Sequence, residues 1–474
     1  MRQVETKLGL GDKPVRGCSA FAGRLPSRGL EVLMLALGLG YIVAVWNILP
    51  AEAQVNPSMH IASSPNPVGS GARAMGMGGA FIAVADDATA ASWNPGGLIQ
   101  LERPEISIVG AGWWQTEINS SREHPESNGR NSFNNVDLNY LSAAYPFYFL
   151  ERNMVVSLNF QNLYDLNKDI KYNYKQEGVI GGDPFISRAA YTFEGRGSLR
   201  ALSPAFAVEI TSGFSLGVAV NVWTDKLFWK NDWTRKLSFT SEVTFPGKFT
   251  QQTATVYEER YHDLFGINYH LGALWNVNKW FTLGAVVKTP FTMKLTRTFK
   301  SADQFIDPPA PSKTDMNDED IELDFPLSYG LGTAFRLSDR LTLSADIYRT
   351  EWAQHLMRDS HGNVFSPIAD LPQSLADVPA THQIRIGGEY LFILEKTIIP
   401  ARAGIFYDPQ PAQGTVNPFY GFSLGSGVMI GDVVFDVAYQ YRWGREARNI
   451  LFQVPDATTD VDQHMVLLSV IQHF

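Results

Sequence analysis

From about Glu105 to the C-terminus, apolar and polar residues alternate in stretches separated by polar connections. The pattern is plainest near the end. In VVFDVAYQYRW, Phe435, Val437, Tyr439, Tyr441 and Trp443 share one face, and Asp436, Ala438, Gln440 and Arg442 share the other. LTLSADIY sets Leu341, Leu343, Ala345 and Ile347 against Thr342, Ser344 and Asp346. VSLNFQ sets Val156, Leu158 and Phe160 against Ser157, Asn159 and Gln161. A period of two is that of a strand with unlike faces. The pattern predicts strands at 105–115, 136–149, 152–166, 197–210, 214–229, 257–276, 280–296, 321–337, 340–352, 382–392, 398–409, 417–430, 433–444 and 463–474.

The connections alternate in length. Short ones include Leu150-Glu151, Thr211-Ser212-Gly213, Ser338-Asp339 and Gly431-Asp432. Long ones are 116–135, 167–196, 230–256, 297–320, 353–381 and 445–462, with a shorter one at 410–416. A soluble sandwich also alternates apolar and polar faces, but it has no reason to alternate its loop lengths. An outer-membrane barrel does, with short periplasmic turns and long outer loops. The fold expected is therefore all-β: a transmembrane antiparallel barrel of about fourteen strands, an even number as bacterial barrels require.

One stretch before the strands fits neither pattern. Asn66 to Leu98 reads NPVGSGARAMGMGGAFIAVADDATAASWNPGGL. Gly69, Gly71, Gly76, Gly78 and Gly79 permit tight turns and close backbone approach. Asn94-Pro95-Gly96 reads as a turn, with Gly96 free to take positive φ. Such a segment needs a container. Its Gly-Ala-Arg-Ala-Met-Gly-Met-Gly-Gly-Ala-Phe start, Ala-Asp-Asp-Ala centre and Trp-Asn-Pro-Gly-Gly-Leu end resemble the N-terminal hatch of the FadL-type long-chain fatty-acid transporter family, with Gly96 where that family usually has Ala. Asp324 to Trp352 and Thr381 to Pro411 resemble two hairpins of the same family. The resemblance implies a plugged barrel taking up hydrophobic compounds, long-chain fatty acids or aromatic hydrocarbons, by loop capture, apolar lumen pockets and hatch rearrangement. It also implies sideways release at an inward kink in the third strand, yet 152–166 holds no Gly or Pro to form one. Related barrels with this Gly-rich signature act instead as structural partners of secretion or assembly complexes, which is the alternative reading.

Composition adds to the membrane reading. The chain has 29 Phe, 18 Tyr, 11 Trp and 40 Gly, with only 18% charged residues. Aromatic enrichment without long apolar runs suits lipid-facing strands. The one apolar run, Leu33 to Leu49, follows Arg24 and Arg28 and precedes Ala51-Glu52-Ala53. That order reads as a signal peptide, residues 1–53, cleaved before Gln54; a single membrane anchor is the other reading. The domains expected are then the signal peptide, a hatch at 54–104 and a barrel at 105–474. The sole cysteine, Cys18, lies in the leader, so the mature chain would lack thiol chemistry. A net charge of −9 argues against nucleic acid as a partner.

Arg73, Asp86 and Asp87 sit within the hatch. The carboxylates suit either a polar lock with Arg73 or caps on local backbone N–H groups. Trp113, Trp114, Phe228, Trp229 and Trp233 are candidates for substrate capture in outer loops. The run Asp315, Asp318, Glu319, Asp320, Glu322 and Asp324 reads as a solvated outer loop, without the Gly of a calcium loop. His355 and His361 make a weak zinc signal. No phosphate-binding loop occurs, and neither an enzyme nor a cofactor or metal is expected. Phe474, ending an apolar strand, resembles the signal read by the outer-membrane insertion machinery. Machinery, membrane lipid, lipopolysaccharide and a hydrophobic small molecule are the partners expected.

Overall fold

The computed structural model describes residue 66 and residues 68–227, 229–448, 454 and 456–474. The expected leader and Phe228 lie outside the described residues. In chain order the strands are β1 (Glu105–Ser120), β2 (Gly129–Phe149), β3 (Arg152–Asp165), β4 (Lys168–Ile180), β5 (Asp183–Thr211), β6 (Phe214–Thr224), β7 (Trp233–Phe245) and β8 (Phe249–Asn278). Next come β9 (Phe281–Lys288), β10 (Phe291–Asp307), β11 (Ala310–Phe325), β12 (Ser328–Ser338), β13 (Leu341–Thr350), and the short β14 (Met357–Arg358), β15 (Val364–Ser366) and β16 (Leu371–Pro372). Last are β17 (Thr381–Ile393), β18 (Ile398–Tyr407), β19 (Gln410–Ala412), β20 (Thr415–Asn417), β21 (Phe419–Ile430), β22 (Val433–Arg448) and β23 (Thr458–His473).

Fourteen of these close a barrel in the order β1-β2-β3-β5-β6-β8-β9-β12-β13-β17-β18-β21-β22-β23. Closure runs from Glu105↔His473 to Ser120↔Thr458. It removes the open edge that lipid could not solvate. The faces are inverted relative to a soluble protein. Val156, Leu158, Leu343, Ile347, Phe435 and Val437 are exposed, while Ser157, Asn159, Gln161, Ser344, Asp346, Asp436 and Gln440 are buried. Apolar side chains face lipid and polar ones face a filled lumen. At one end the hairpins are tight. Leu150 and Glu151 turn with φ of 50° and 58°, matching the right-handed twist of the strands they join.

The other end departs from the expected loops. Connections 167–196, 230–256 and 297–320 are β-hairpins, not irregular chain: β4 with β5, β7 with β8, and β10 with β11. They pair onward, β5 with β7 and β8 with β10, so the same sheet continues beyond the barrel wall as an outer sheet. Cross-strand aromatics hold it. Tyr172 stacks on Tyr191 at 5.1 Å, and Tyr191 meets Phe239 at 5.0 Å. Two expected strands, 280–296 and 321–337, are each split for the same reason. Pro290 and Pro326 interrupt the ladder, and β10 and β11 leave the wall to join the outer sheet. The acidic run from Asp315 to Asp324 thus lies on strand β11, not in a loop.

The third strand is also irregular, despite having no Gly or Pro. Leu163 is an extra residue where Asn162 and Tyr164 pair with consecutive residues of β5. Asn139 is the extra residue on β2 facing Val109 and Gly110 of β1. The β2–β3 ladder runs from Phe149↔Arg152 to Tyr140↔Gln161 and stops there, where the two bulges meet.

Candidate functional site

Inside the barrel lies the segment from Val68 onward. It is built from a helix at Ala72–Gly76, a helix at Ala90–Trp93 and a 3-10 helix at Pro95–Gln100. Gly78 and Gly79 turn the chain with φ of 70° and 72°. The wall is shaped to receive it. A Cβ on Gly217, Gly272, Gly284, Gly332, Gly387, Gly404 or Gly425 would fall within 3.0 Å of a hatch atom. Seven bare positions on β6, β8, β9, β12, β17, β18 and β21 let the segment lie against the strands. Sequence reasoning passed over them; the available signal was Gly recurring at lumen-facing parity.

Lumen side chains take up the segment's backbone groups. Asp346 accepts from the N–H of Phe81 at 2.6 Å and of Ile82 at 2.9 Å. Ser423 accepts from Gly78 N–H at 2.7 Å and donates to Gly76 O at 2.9 Å. Ser469 accepts from Ala72 N–H, and Arg385 donates to Gly78 O. An ionic chain crosses from hatch to wall. Arg73 pairs with Asp86 at 2.6 Å and Glu389 at 2.9 Å; Arg402 joins Glu389 to Asp436, each at 2.6 Å. The two carboxylates of the hatch divide their roles. Asp86 faces Arg73, while Asp87 accepts from the N–H and hydroxyl of Thr89.

Asn94-Pro95-Gly96 is not a β-turn with positive φ. Asn94 caps the 3-10 helix, accepting from Gly96 N–H at 3.0 Å, and Pro95 fills its first turn. Asn94 also donates to Ile82 O and Ala273 O, both at 2.9 Å. Gly96 is bare because a Cβ there would meet Gly272 O at 3.0 Å. Gly69 packs under the Trp93 ring, Gly71 takes φ of 107°, and Gly76 touches Gly425.

The aromatic candidates do not form one site. Trp113 is buried on β1 and donates to Asp165 at 2.9 Å; Trp114, its neighbour, is exposed on the lipid face. Trp229 meets Phe160 edge-on at 5.0 Å. Trp233 stacks on Tyr261 at 4.6 Å within a buried outer cluster that includes Tyr164, Trp223, Ile321, Leu323, Phe325 and Met357. Phe291 and Phe325 stack at 4.7 Å in the same place. Phe474 is exposed, its N–H donating to Pro104 O at 3.0 Å.

Between hatch and outer cluster lies a cavity of about 100 Å³. Val68, Met75, Trp113, Leu163, Phe406 and Met465 give it apolar surface; Asp137, Asn139, Asn162, Arg385, Asp408 and Arg442 give it polar surface. The two bulged residues, Asn139 and Leu163, both line it.

The metal candidates stay apart. His355 is buried, its Nδ1 2.7 Å from Asp324 O, and burial pushes its pKa down to about 4. His361 is exposed, near Glu319 and Asp359. Glu319 already pairs with Arg297 at 2.5 Å and accepts from Ser360.

The family described as outer membrane protein transport protein (OMPP1/FadL/TodX) matches residues 64–449. Among solved structures, a FadL homologue of Pseudomonas aeruginosa is similar at 13% identity and a TM-score of 0.57, covering 86% of this chain and 98% of that one. The toluene transporter TodX of Pseudomonas putida is similar at 15% identity and 0.51, covering 86% and 98%. At such identities the likeness is one of fold. No curated protein matches the chain.

Proposed function

This chain belongs to the OMPP1/FadL/TodX family of outer-membrane transport proteins, and we propose that it admits hydrophobic compounds, long-chain fatty acids or aromatic hydrocarbons, across the outer membrane without chemical change. The observation that carries this reading is the outer apolar cluster around Trp223, Trp233, Tyr261 and Phe325, with a cavity beneath it and the hatch below. An apolar solute leaves water for such a cluster at a gain of about 25 cal/mol per Å² buried. From there it passes to the cavity, and a shift of the hatch segment opens the way onward. The unladdered stretch of β2 and β3 beside the cavity supports a sideways exit into the membrane. Loop capture begins at Trp233, and Trp113 lines the path. Lipid and lipopolysaccharide contact the outer apolar face, and the insertion machinery reads Phe474. The segment 54–104 acts as the plug, and residues 1–53 are removed on export.

The second reading, a structural partner of a secretion or assembly complex, draws support from one observation. At hatch level the lumen is filled and polar, with Ser344, Asp346, Ser423 and Gln440 all engaged by the segment. Purification from the native membrane followed by mass spectrometry of co-purifying small molecules separates the two. Stoichiometric hydrophobic compounds support transport; a stoichiometric protein partner with no such compound supports the scaffold.

A further inference from the structure

The stop in the β2–β3 ladder leaves a seam beside the cavity, and one charged side chain is placed to hold that seam together. Above Tyr140↔Gln161 the backbones of β2 and β3 no longer pair. Their place is taken by side chains. Asn162 of β3 donates to Asp137 of β2 at 3.0 Å, and Arg200, reaching from β5 across β3, forms an ion pair with the same carboxylate oxygen. Asn139 donates to Asn162 O at 3.4 Å, a long bond. Asp137, Asn139 and Asn162 all line the cavity, so these contacts stand between it and the outside of the barrel.

Arg200 is itself held by an outer connection. It donates to Lys230 O at 2.9 Å; its own N–H donates to Asn231 Oδ1 at 2.7 Å, and Asn231 donates back to Arg200 O. The same connection carries Trp229, whose ring meets Phe160 on β3. One short stretch, 229–231, therefore contacts both β3 and the cation that spans the seam.

We propose that Arg200 is the positioning residue of a side door: by holding Asp137 across β3 it keeps the β2–β3 seam shut, and its release lets a hydrophobic solute pass from the lumen cavity into the membrane. This rests on the transport reading. An ion pair suits a door better than a ladder does. A partly exposed ion pair is a weak contact, so it opens on its own far more often than a run of backbone hydrogen bonds. Displacing the 229–231 connection removes the Lys230 carbonyl from the guanidinium and the two Asn231 bonds from the Arg200 backbone, so the outer surface can bias the seam.

The test uses the full barrel. Hydrogen exchange is measured at amides 137–139 and 162–164, and at 143–147 and 154–158 of the same ladder. Cells expressing each variant are assayed for uptake of N-phenyl-1-naphthylamine. Arg200→Gln should speed exchange at the seam about threefold, leave the lower ladder unchanged and raise uptake at least twofold. Arg200→Lys, which keeps the charge, should stay near the natural protein. The exchanged pair Asp137→Arg with Arg200→Asp should return both readouts toward it. Unchanged seam exchange in Arg200→Gln overturns the proposal, as does faster exchange along the whole ladder, which marks general loosening. An opened seam with unchanged uptake overturns the gating role alone. If cells with the natural barrel take up no more probe than cells without it, the transport reading fails and the door with it.

Discussion

At the scale of single residues, charge pairing at the hatch is the feature most open to test. Arg73 serves Asp86 and Glu389 at once, and both carboxylates lie in a poorly hydrated lumen. Removing one member of a buried ionic group costs about 3–5 kcal/mol, because the partners are left uncompensated. Arg73→Ala should therefore loosen the hatch without breaking the strand ladder. Single-channel recordings should show frequent transient openings with the folded fraction unchanged; a silent trace would count against the lock. A second residue acts through pH. His355 is buried neutral, with its pKa near 4. Unfolded, it binds a proton below about 6.5. The unfolded form therefore takes up more protons between pH 6.5 and 4, and stability falls as pH drops through that window, by roughly 3 kcal/mol at most. The urea midpoint should drop less from pH 7 to pH 5 in His355→Gln than in the natural protein. Only part of this detail was legible in the sequence. Arg73, Asp86 and Asp87 stood out as charges in an otherwise small-residue segment. Glu389, Arg402 and Asp436 did not, because each looks like an ordinary polar residue on a strand until closure sets their strands side by side. The same holds for Gly387 and Gly404. Their lack of a side chain matters only once the hatch is known to press on that level of the wall.

At the scale of elements, alternation located the wall well because lipid enforces it. Every residue of a spanning strand faces either hydrocarbon or lumen, so period two survives without exception from Phe435 to Arg442. Beyond the membrane that pressure ends. The outer hairpins mix Lys, Asn, Thr and Tyr on faces that meet water or one another, and the periodicity that identifies strands fades there. The Pro290 and Pro326 breaks were visible as residues but not as boundaries, since a proline at a strand end and one in a loop read alike. The outer sheet nevertheless depends on the barrel, not the reverse. The β6–β8 ladder begins at Thr224↔Phe265, below the β7–β8 hairpin. Deleting residues 233–260 should leave the heat-modifiable barrel in the outer membrane, because the remaining connection still spans neighbouring strands and loop closure costs little. It removes the stacked Trp233–Tyr261 surroundings and should cut binding of a hydrophobic fluorescent probe by at least fivefold. Undiminished binding would move capture elsewhere.

At the scale of the whole molecule, the barrel and its contents are built for contact but joined by few strong bonds. The segment from Val68 to Leu101 contributes no strand to the wall. It is held by bare glycine surfaces, single hydrogen bonds to serines and carboxylates, and one ionic chain. Removing it exposes Asp346, Ser423, Arg385 and Glu389 to water, which hydrates them at little cost, while the closed ladder from β1 to β23 stays intact. A fourteen-stranded barrel cleared of its interior is wide enough to conduct. Deleting residues 68–92 should thus give a folded barrel whose conductance in planar bilayers rises severalfold and whose leak to small polar solutes increases with it. The Arg73→Ala variant should lie between the two extremes, opening briefly where the deletion stays open. A deletion that folds yet conducts no better than the natural protein would mean the outer hairpins, not the hatch, close the lumen. The side door at Arg200 would then be the exit from a chamber sealed above, and outer-sheet deletions would become the ones that leak.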